Sequence, residues 1–289
     1  MTASFFWLAS YPKSGSTWLR AFLQNLLTKS PEPASINDLT TGAIASARNW
    51  IDDLLGFDTA DLYRNEVARL RPESYRFAST VASGPQYFKI HDANVRVDGD
   101  RRLIDLNATA GALYLIRNPL DVAISLANHN GCSIDRAIDL MADAGHCLSP
   151  HANDRLHNQV EQRLLTWSSH VESWVDDPEL ETEVLRYEDM GTKPQHAFAA
   201  AAAFLRIQTD PANIDRAIRH SQFEGLKAQE ERDSFRERST HSSRFFRKGL
   251  IGDWKRTLTR SQINRIVDQH GTVMARFGYL DSGGDPWIG

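Results

Sequence analysis

A loop near the start of the sequence combines residue types that bind phosphate. Residues 11–18 read Tyr-Pro-Lys-Ser-Gly-Ser-Thr-Trp and stand between an apolar run and a segment with helical spacing. Such a loop directs backbone N–H groups and the positive end of a helix at one point, where a glycine lets an anion approach. Lys13 supplies a positive charge beside Gly15. The hydroxyl donors of the loop are Ser14, Ser16 and Thr17. The loop predicts a phosphate cradle; the alternative is a capped helix beside a solvated lysine.

A second segment pairs an arginine with a hydroxyl. Arg117 stands at the expected carboxyl end of a strand, where open α/β sheets bind ligands. Ser125 follows about two helical turns later, so both side chains can face one crevice and clamp phosphate oxygens. The alternative is a surface ion pair between Arg117 and Asp121.

A third segment, residues 245–255, places two adjacent bases, Arg247 and Lys248, between aromatic residues and beside two glycines, Gly249 and Gly252. This composition predicts a basic loop that closes over an anion, with a solvated charged loop as the alternative.

Apolar runs and helical periodicity indicate the elements that must position these segments. Strands are predicted at residues 5–10, 86–90, 111–116 and 182–185. Helices are predicted at residues 17–27, 120–128, 160–175, 197–205 and 263–277. Ser16 is the expected N-cap of the first helix, and Pro119 suits the first turn of the second.

Strands that alternate with helices predict an α/β fold. We expect a central, mostly parallel sheet flanked by helices, in a P-loop-like nucleotide-binding architecture. No repeat or linker interrupts the sequence, so residues 1–289 are predicted to form a single domain. Residues 28–80 contain no clear strand and are predicted to be helical insertions that line a substrate cavity, together with residues 128–158 and 226–246.

The composition of the 289 residues is that of a soluble globular protein and excludes disorder, collagen and small disulfide scaffolds. A net charge of −4 offers no general attraction to nucleic acid or an anionic membrane, so any anion needs a local site. The only cysteines, Cys132 and Cys147, lack the spacing of a zinc site. No apolar run approaches the roughly 20 residues that span a bilayer. A cytoplasmic protein is predicted.

In their order along the chain, the three segments resemble the sulfotransferase family that uses 3′-phosphoadenosine 5′-phosphosulfate (PAPS). Residues 11–18 resemble its 5′-phosphosulfate loop, residues 117–125 its 3′-phosphate motif, and residues 247–255 its C-terminal signature. The resemblance implies that Lys13 and the amides of residues 14–17 hold the 5′-phosphate. It assigns the 3′-phosphate to Arg117, Ser125 and Arg247, with Lys248 and Gly249 in the same loop. It assigns the adenine to Trp18 and Phe223, with Tyr187 nearby.

The same resemblance extends to weaker positions. Lys89-Ile90-His91 is similar to the family's Lys-x-His, in which the histidine is the general base. Residues 185–190 resemble its Tyr-Glu-Asp turn, which contains Tyr187, and residues 220–223 the segment that provides Phe223. For His91 the alternative is a structural histidine, and for the two aromatic residues it is ordinary core packing.

The sequence also departs from the family pattern at three places. Ser16 stands where many members have threonine, which keeps the hydroxyl. Asp92 replaces a usually apolar residue, which predicts a more polar acceptor mouth. The family's homodimer motif would overlap residues 255–264, but Arg260 and Asn264 replace its valine and glutamate, so the oligomeric state stays open.

The implied reaction moves a sulfuryl group from PAPS to a hydroxyl or amine of an acceptor, expected to be a small molecule, and leaves 3′,5′-ADP (PAP). His91 would take the acceptor proton, Lys13 would stabilise the leaving phosphate oxygen, and Lys89 would donate to the transferring group. Because these cationic side chains do what magnesium does in kinases, no metal is expected. One alternative is a P-loop kinase or NTPase, but the Gly-Lys-Ser/Thr ending and the magnesium-binding aspartate are missing. Another is a non-catalytic PAP-binding protein, which the presence of His91 disfavours.

The basic stretch before residue 249 predicts a mobile lid. Arg244, Arg247 and Lys248 have no acidic residue within five positions except Asp253. Like charges repel one another unless an anion lies among them, so residues 239–249 are predicted to be loose without nucleotide. The alternative is a permanently ordered loop paired to distant carboxylates.

Overall fold

The structure, a computed structural model, describes residues 5–150 and 156–287. Its strands are β1 (Phe5–Ser10), β2 (Ala43–Ile44), β3 (Gln86–Ile90), β4 (Arg96–Asp98), β5 (Arg101–Arg102), β6 (Thr109–Ile116), β7 (Cys147–Leu148), β8 (Gln162–Arg163) and β9 (Thr182–Arg186). Its helices are α1 (Ser16–Thr28), α2 (Arg48–Leu55), α3 (Arg64–Val81), α4 (Pro119–Asn130), α5 (Ile134–Ala142), α6 (Trp167–Val175), α7 (Tyr187–Thr192), α8 (Pro194–Phe204), α9 (Pro211–His220), α10 (Phe223–Asp233), α11 (Trp254–Thr257) and α12 (Arg260–Arg276).

The described residues divide into two compact units, each built from three stretches of chain. Unit 1 comprises residues 5–11, Gly42–Tyr114 and Ala144–Val184. Unit 2 comprises Pro12–Thr41, Leu115–Asp143 and residues 185–287. Neither unit is a continuous segment, so no single cut of the chain separates them. That residues 1–289 form a single domain stays a prediction.

The central sheet has five strands in the order β2-β3-β1-β6-β9. β1 runs parallel to β3, with Phe5 opposite Gln86 and Ala9 opposite Ile90. Every residue of β1 is buried, which explains why the strand is a continuous apolar run rather than an alternating one. The predicted α/β class, with a parallel central sheet flanked by helices, is confirmed. Among the five strands of this sheet, β2 alone was not predicted, because two residues are too few to show a period.

Unit 1 is built on an aromatic cluster beside β1 and β3. The rings of Trp7 and Tyr75 meet edge to face at 5.2 Å, and Trp50 lies 4.8 Å from Phe88. The Trp7 indole N–H donates to the Thr109 hydroxyl at 2.9 Å. Trp50 and Tyr75 belong to α2 and α3, so part of residues 28–80 is helical as predicted. The expectation that this stretch holds no strand is wrong, because β2 lies within it and pairs with β3.

Unit 2 packs around α1. Phe22 of α1 stacks on Phe198 of α8, with ring centroids 4.1 Å apart. A second apolar cluster joins α1 to α10 and to the residues that follow α10. Its buried members are Ala21, Ile36, Leu39, Leu226, Phe235 and Phe246, against which Trp18, Phe223 and Phe245 pack.

Four of the five predicted helices are confirmed with small shifts at their ends, as α1, α4, α8 and α12. The helix predicted over residues 160–175 is wrong in its first half, because α6 begins only at Trp167. The Val160 N–H donates to the Ser46 carbonyl at 2.9 Å, and Leu165 has a φ of 60°. The apolar spacing of residues 160–166 thus belongs to extended chain, which a periodicity argument cannot distinguish from a helix here.

Across the described parts of the chain, no helix is long and apolar enough to cross a membrane.

Candidate active site

The loop predicted to bind phosphate, residues 11–18, joins β1 to α1 as expected, but its cap differs from the prediction. Gly15, with φ 105°, is the N-cap of α1, and no side chain caps this helix end. Ser16 is therefore the first helical residue and not the N-cap, because the turn needs a positive φ that only glycine adopts readily. A Cβ on Gly15 would lie 2.7 Å from a ring carbon of Tyr187. The amides of the first turn are left for an external acceptor.

Two side chains of this loop support the binding of an anion. Ser14 is 1% exposed, and its hydroxyl has no hydrogen-bond partner among the described residues. Leaving a buried hydroxyl without a partner costs about 1–3 kcal/mol, which a ligand oxygen would recover. Lys13 has a left-handed backbone (φ 72°), and its ammonium lies 4.2 Å from the centroid of the Phe245 ring. The loop fits a phosphate group.

Arg117 connects this loop to the C-terminal signature. Its guanidinium donates to the Lys13 carbonyl at 3.2 Å and to the Leu250 carbonyl at 3.1 Å. It also lies 4.1 Å above the ring of Tyr187. The Arg117 Nε is buried, and no residue in the described part of the chain forms a hydrogen bond with it. The structure thus brings together three of the segments that the sequence singles out.

Asp121 has a role that differs from the surface ion pair considered above. It is buried, and its two oxygens accept from the N–H groups of Gly252 at 2.7 Å and Trp254 at 3.0 Å. Burial raises the pKa of Asp121, against the positive charge of Arg117. The ion-pair alternative is wrong because the carboxylate is used to tie residues 117–125 to the C-terminal signature. Ser125 lies half-buried on α4, whereas Arg117 precedes that helix, so their shared crevice stays a prediction.

The basic residues of the C-terminal segment are paired with carboxylates. Arg247 and Lys248 both donate to Asp253, at 3.1 and 2.8 Å. Burial tends to raise the pKa of Asp253, but hydrogen bonds from Lys248 and Arg247 hold it below its ordinary value. Arg244 pairs with Glu231 at 3.0 Å. This ion pair is of the kind that the alternative to the lid, an ordered loop paired to distant carboxylates, requires. The predicted lid stays a prediction.

Glu230 fixes the start of this segment. Its carboxylate is 7% exposed and accepts from the N–H groups of Phe245 at 2.7 Å and Phe246 at 2.8 Å. Farther along, Gly249 has a φ of 62°, and a Cβ on it would lie 2.5–2.7 Å from three ring atoms of Phe223. The structure therefore brings Gly249 directly against Phe223.

The aromatic residues expected near adenine lie around α1. Trp18 meets Tyr187 edge to face at 5.6 Å, and burial raises the pKa of Tyr187. Trp18 and Phe223 both pack, half-buried, against the second apolar cluster of unit 2. A site for a flat apolar ring is consistent with this arrangement.

Thr259 of the family's dimer motif caps α12 here.

In unit 1, the other predicted catalytic residues lie on β3 and directly after it. Lys89 is 8% exposed on the strand, and His91 follows its last residue, Ile90. The His91 Nδ1 lies 2.8 Å from the Ser10 carbonyl oxygen and 3.2 Å from the Ser10 hydroxyl. Because a carbonyl oxygen only accepts, Nδ1 carries the proton of the neutral ring and Nε2 is its basic nitrogen. The geometry suits a general base.

Asp92 is not an exposed polar residue. It is 1% exposed and accepts from both terminal nitrogens of Arg71, at 2.9 and 2.6 Å. Both residues line a cavity of about 490 Å³ in unit 1. The lining comes from residues 48–71 and 92–103, from Ser149 and from residues 156–163, so two of the three segments predicted to line a substrate cavity contribute to it. Residues 151–155 of the predicted segment 128–158 lie outside the described residues.

Sequence reasoning missed the carboxylates that hold the site together. Asp121 and Asp253 lie within the motifs, but nothing in their types indicates which amide or cation they hold. Glu188, also buried, accepts from the Asn118 N–H at 3.0 Å. Across residues 5–150 and 156–287, no group of three or more His, Cys, Asp or Glu residues could hold a metal ion.

Comparison with solved structures shows the fold. Mouse sulfotransferase SULT7A1 complexed with PAP matches with a TM-score of 0.57 at 18% identity, covering 98% of this chain and 88% of that one. Retinol dehydratase in complex with androsterone and inactive cofactor PAP matches with a TM-score of 0.60 at 18% identity, covering 95% and 81%.

Comparison of sequences shows the family. Sulfotransferase 1B1 of Canis lupus familiaris is 26% identical over 267 residues, which are 88% of this chain and 78% of the dog protein. Cytosolic sulfotransferase 8 of Arabidopsis thaliana is 24% identical over 277 residues, 90% and 73% of the two chains. The family model described as Sulfotransferase domain matches residues 4–278. As its phosphate loop and its two later motifs predict, the chain belongs to the sulfotransferase family and is an enzyme of that class.

Proposed function

We propose that the enzyme transfers the sulfuryl group of PAPS to a hydroxyl or amine of a small-molecule acceptor and releases PAP. The observation that carries the donor site is the uncapped end of α1, beside the buried and unpartnered hydroxyl of Ser14. Arg117 reaches this loop and the C-terminal signature at once. When PAPS is bound there, it supplies a sulfuryl group that is attached to a phosphate, and the phosphate is a good leaving group.

The donor-binding residues divide by the part of the nucleotide that they hold. The 5′-phosphate is assigned to Lys13 and to the amides of Ser14, Gly15, Ser16 and Thr17. The 3′-phosphate is assigned to Arg117, Ser125, Arg247 and Lys248, in the loop that contains Gly249. The adenine is assigned to Trp18, Tyr187 and Phe223.

His91 acts on the acceptor. Its Nε2 takes the proton of the acceptor hydroxyl, because its Nδ1 already donates to Ser10. Lys13 stabilises the negative charge on the leaving phosphate oxygen, and Lys89 donates to the transferring group. No step in this assignment needs a metal ion.

The size and position of the cavity in unit 1 support a small acceptor. Its volume of about 490 Å³ lies in the range of ordinary ligand pockets, and Asp92 in its wall is the neighbour of His91 in the chain. One solved relative was crystallised with androsterone and PAP, and another structure holds retinol and PAP. We propose a cytoplasmic enzyme that acts on small molecules and not on nucleic acid or membranes, in keeping with its relatives named cytosolic.

A comparison of nucleotides tests the donor assignment. PAP and 5′-ADP share the adenine and the 5′-phosphate, but only PAP has a 3′-phosphate. We expect PAP to raise the melting temperature more than 5′-ADP or ATP does, and Arg117→Ala to reduce the difference. Equal shifts for PAP and 5′-ADP would contradict the 3′-phosphate assignment, and a preference for ATP would favour a kinase or NTPase. PAP binding without any turnover of PAPS would favour a non-catalytic binding protein.

A further inference from the structure

A buried tyrosine–histidine pair lies beneath the end of β3. His170 of α6 has no exposed surface, and its Nε2 lies 3.0 Å from the backbone oxygen of His91. Its Nδ1 lies 2.8 Å from the hydroxyl of Tyr114, which is also fully buried. The ring of Tyr11 packs edge-on against His170 at 5.4 Å. Neither the sequence motifs nor the roles proposed above use this pair.

The partners of His170 fix its protonation. Since the His91 carbonyl only accepts, Nε2 of His170 carries the proton, and Nδ1 accepts from the Tyr114 hydroxyl. Burial lowers the pKa of His170 to about 4, so the ring is neutral near pH 7. One tautomer in one orientation satisfies both nitrogens.

Two hydrogen bonds therefore hold His91, one at its ring and one at its backbone carbonyl. Its ring Nδ1 donates to the Ser10 carbonyl, and its own carbonyl accepts from His170. β3 has ended at Ile90, so the strand no longer fixes this peptide. We propose that His170 is a positioning residue: its bond to the His91 carbonyl fixes the backbone from which the His91 ring reaches Ser10, and so keeps Nε2 as the basic nitrogen. The kinetic consequence rests on the proposed role of His91 as the base.

Two amide substitutions separate the two bonds of His170. In His170→Gln the amide nitrogen can reach the position of Nε2 and donate to the His91 carbonyl. In His170→Asn the shorter amide reaches only the position of Nδ1, so it keeps the Tyr114 partner and loses the bond to His91. A purely space-filling role would also make His170→Asn the less stable variant, because asparagine leaves the larger cavity, but it predicts no change in the His91 tautomer in either variant.

The first readout is NMR of the histidine ring nitrogens in the full-length protein without ligand. We expect His91 to show a single Nδ1–H tautomer in the wild type and in His170→Gln. In His170→Asn we expect a mixture of tautomers. If His170→Asn does not fold, Tyr114→Phe removes the hydroxyl that orients His170 and should give a smaller change in the same direction. An unchanged His91 tautomer in every folded variant would overturn the proposal.

The second readout is turnover of PAPS with simple phenols of graded acidity. Loss of one hydrogen bond should lower kcat about 5- to 10-fold in His170→Asn for a weakly acidic phenol, with the KM for PAPS unchanged. The loss should shrink for a phenol that is already ionised at the assay pH, because that acceptor needs no base. His170→Gln should stay within about 2-fold of the wild type in both cases.

His270→Gln is the matched control, since His270 is a buried histidine of α12 in unit 2. It should change stability without changing the dependence on phenol acidity. An equal loss in kcat for all phenols would overturn the positioning role. A wild-type rate in His91→Ala would refute the proposed base, and the NMR comparison would still decide whether His170 orients His91.

Discussion

Gly249→Ala tests how closely the C-terminal signature depends on the ring of Phe223, which we propose stacks on adenine. Gly249 has a φ of 62°, and an added Cβ would lie 2.5, 2.7 and 2.7 Å from three ring atoms of Phe223. Contacts below 3.0 Å do not occur for real Cβ atoms, so either the ring or the loop must move. We expect the half-buried Phe223 ring to move.

The cost divides into two parts with different consequences. An alanine in the left-handed region costs about 1–2 kcal/mol, and this strain is present with and without nucleotide. This strain therefore lowers the free energy of unfolding and does not change the affinity for PAP. Returning the Phe223 ring to its place against adenine meets the overpacking cost of about 1–3 kcal/mol, and this cost arises only on binding. PAP affinity should fall roughly 5- to 150-fold.

Gly99→Ala is the matched control. Gly99 has a φ of 61°, but nothing lies within 4 Å of the position of an added Cβ. It should lose the same stability in a denaturant titration and bind PAP as the wild type does in calorimetry. Wild-type PAP affinity in Gly249→Ala would refute this reasoning, as would an equal loss in Gly99→Ala.

Further expectations concern catalysis, stability and the lid. His91→Ala should lower turnover about 10²- to 10⁴-fold and leave PAP affinity nearly intact, measured by steady-state kinetics and calorimetry. Asp92→Asn breaks an ion pair whose side chains are 2–3% exposed and should cost about 3–5 kcal/mol of unfolding free energy. The exposed pair of Arg69 with Asp98 supplies the control, since Asp98→Asn should cost no more than about 1 kcal/mol. PAP should protect residues 239–249 from trypsin; equal cleavage with and without PAP would rule out the lid.

Prediction from the sequence succeeds best where a local pattern of residues fits only one kind of secondary structure. β1 is found at the predicted residues because a continuous apolar run flanked by a break fits a buried parallel strand. The same reasoning fails at residues 160–166, where apolar spacing suits a helix but the backbone pairs with other strands and loops. The N-cap of α1 was also predicted wrongly. Serine is common at N-caps, which favoured Ser16, but this turn requires the positive φ of Gly15.

The candidate site shows a similar limit. The cations Arg247 and Lys248 are visible as a basic pair, but the distant partner of Arg244 is not, because Glu231 comes from another part of the chain. The role of His170 is equally hidden, since a lone histidine on a helix face is most often a packed core residue. Partners that are far apart in sequence are fixed by topology, which residue types do not encode locally.

The two bonds of Asp121 have a consequence for how the protein is made. Chains emerge from the ribosome with the N-terminus first, so Lys13 and Arg117 are available long before Gly252 and Trp254. Until residue 254 has been synthesised, the carboxylate of Asp121 lacks both amide donors that it accepts from in the finished protein. The tie between residues 117–125 and the C-terminal signature therefore cannot form early. Nascent chains that already contain the phosphate loop should therefore be unable to sequester nucleotide during synthesis.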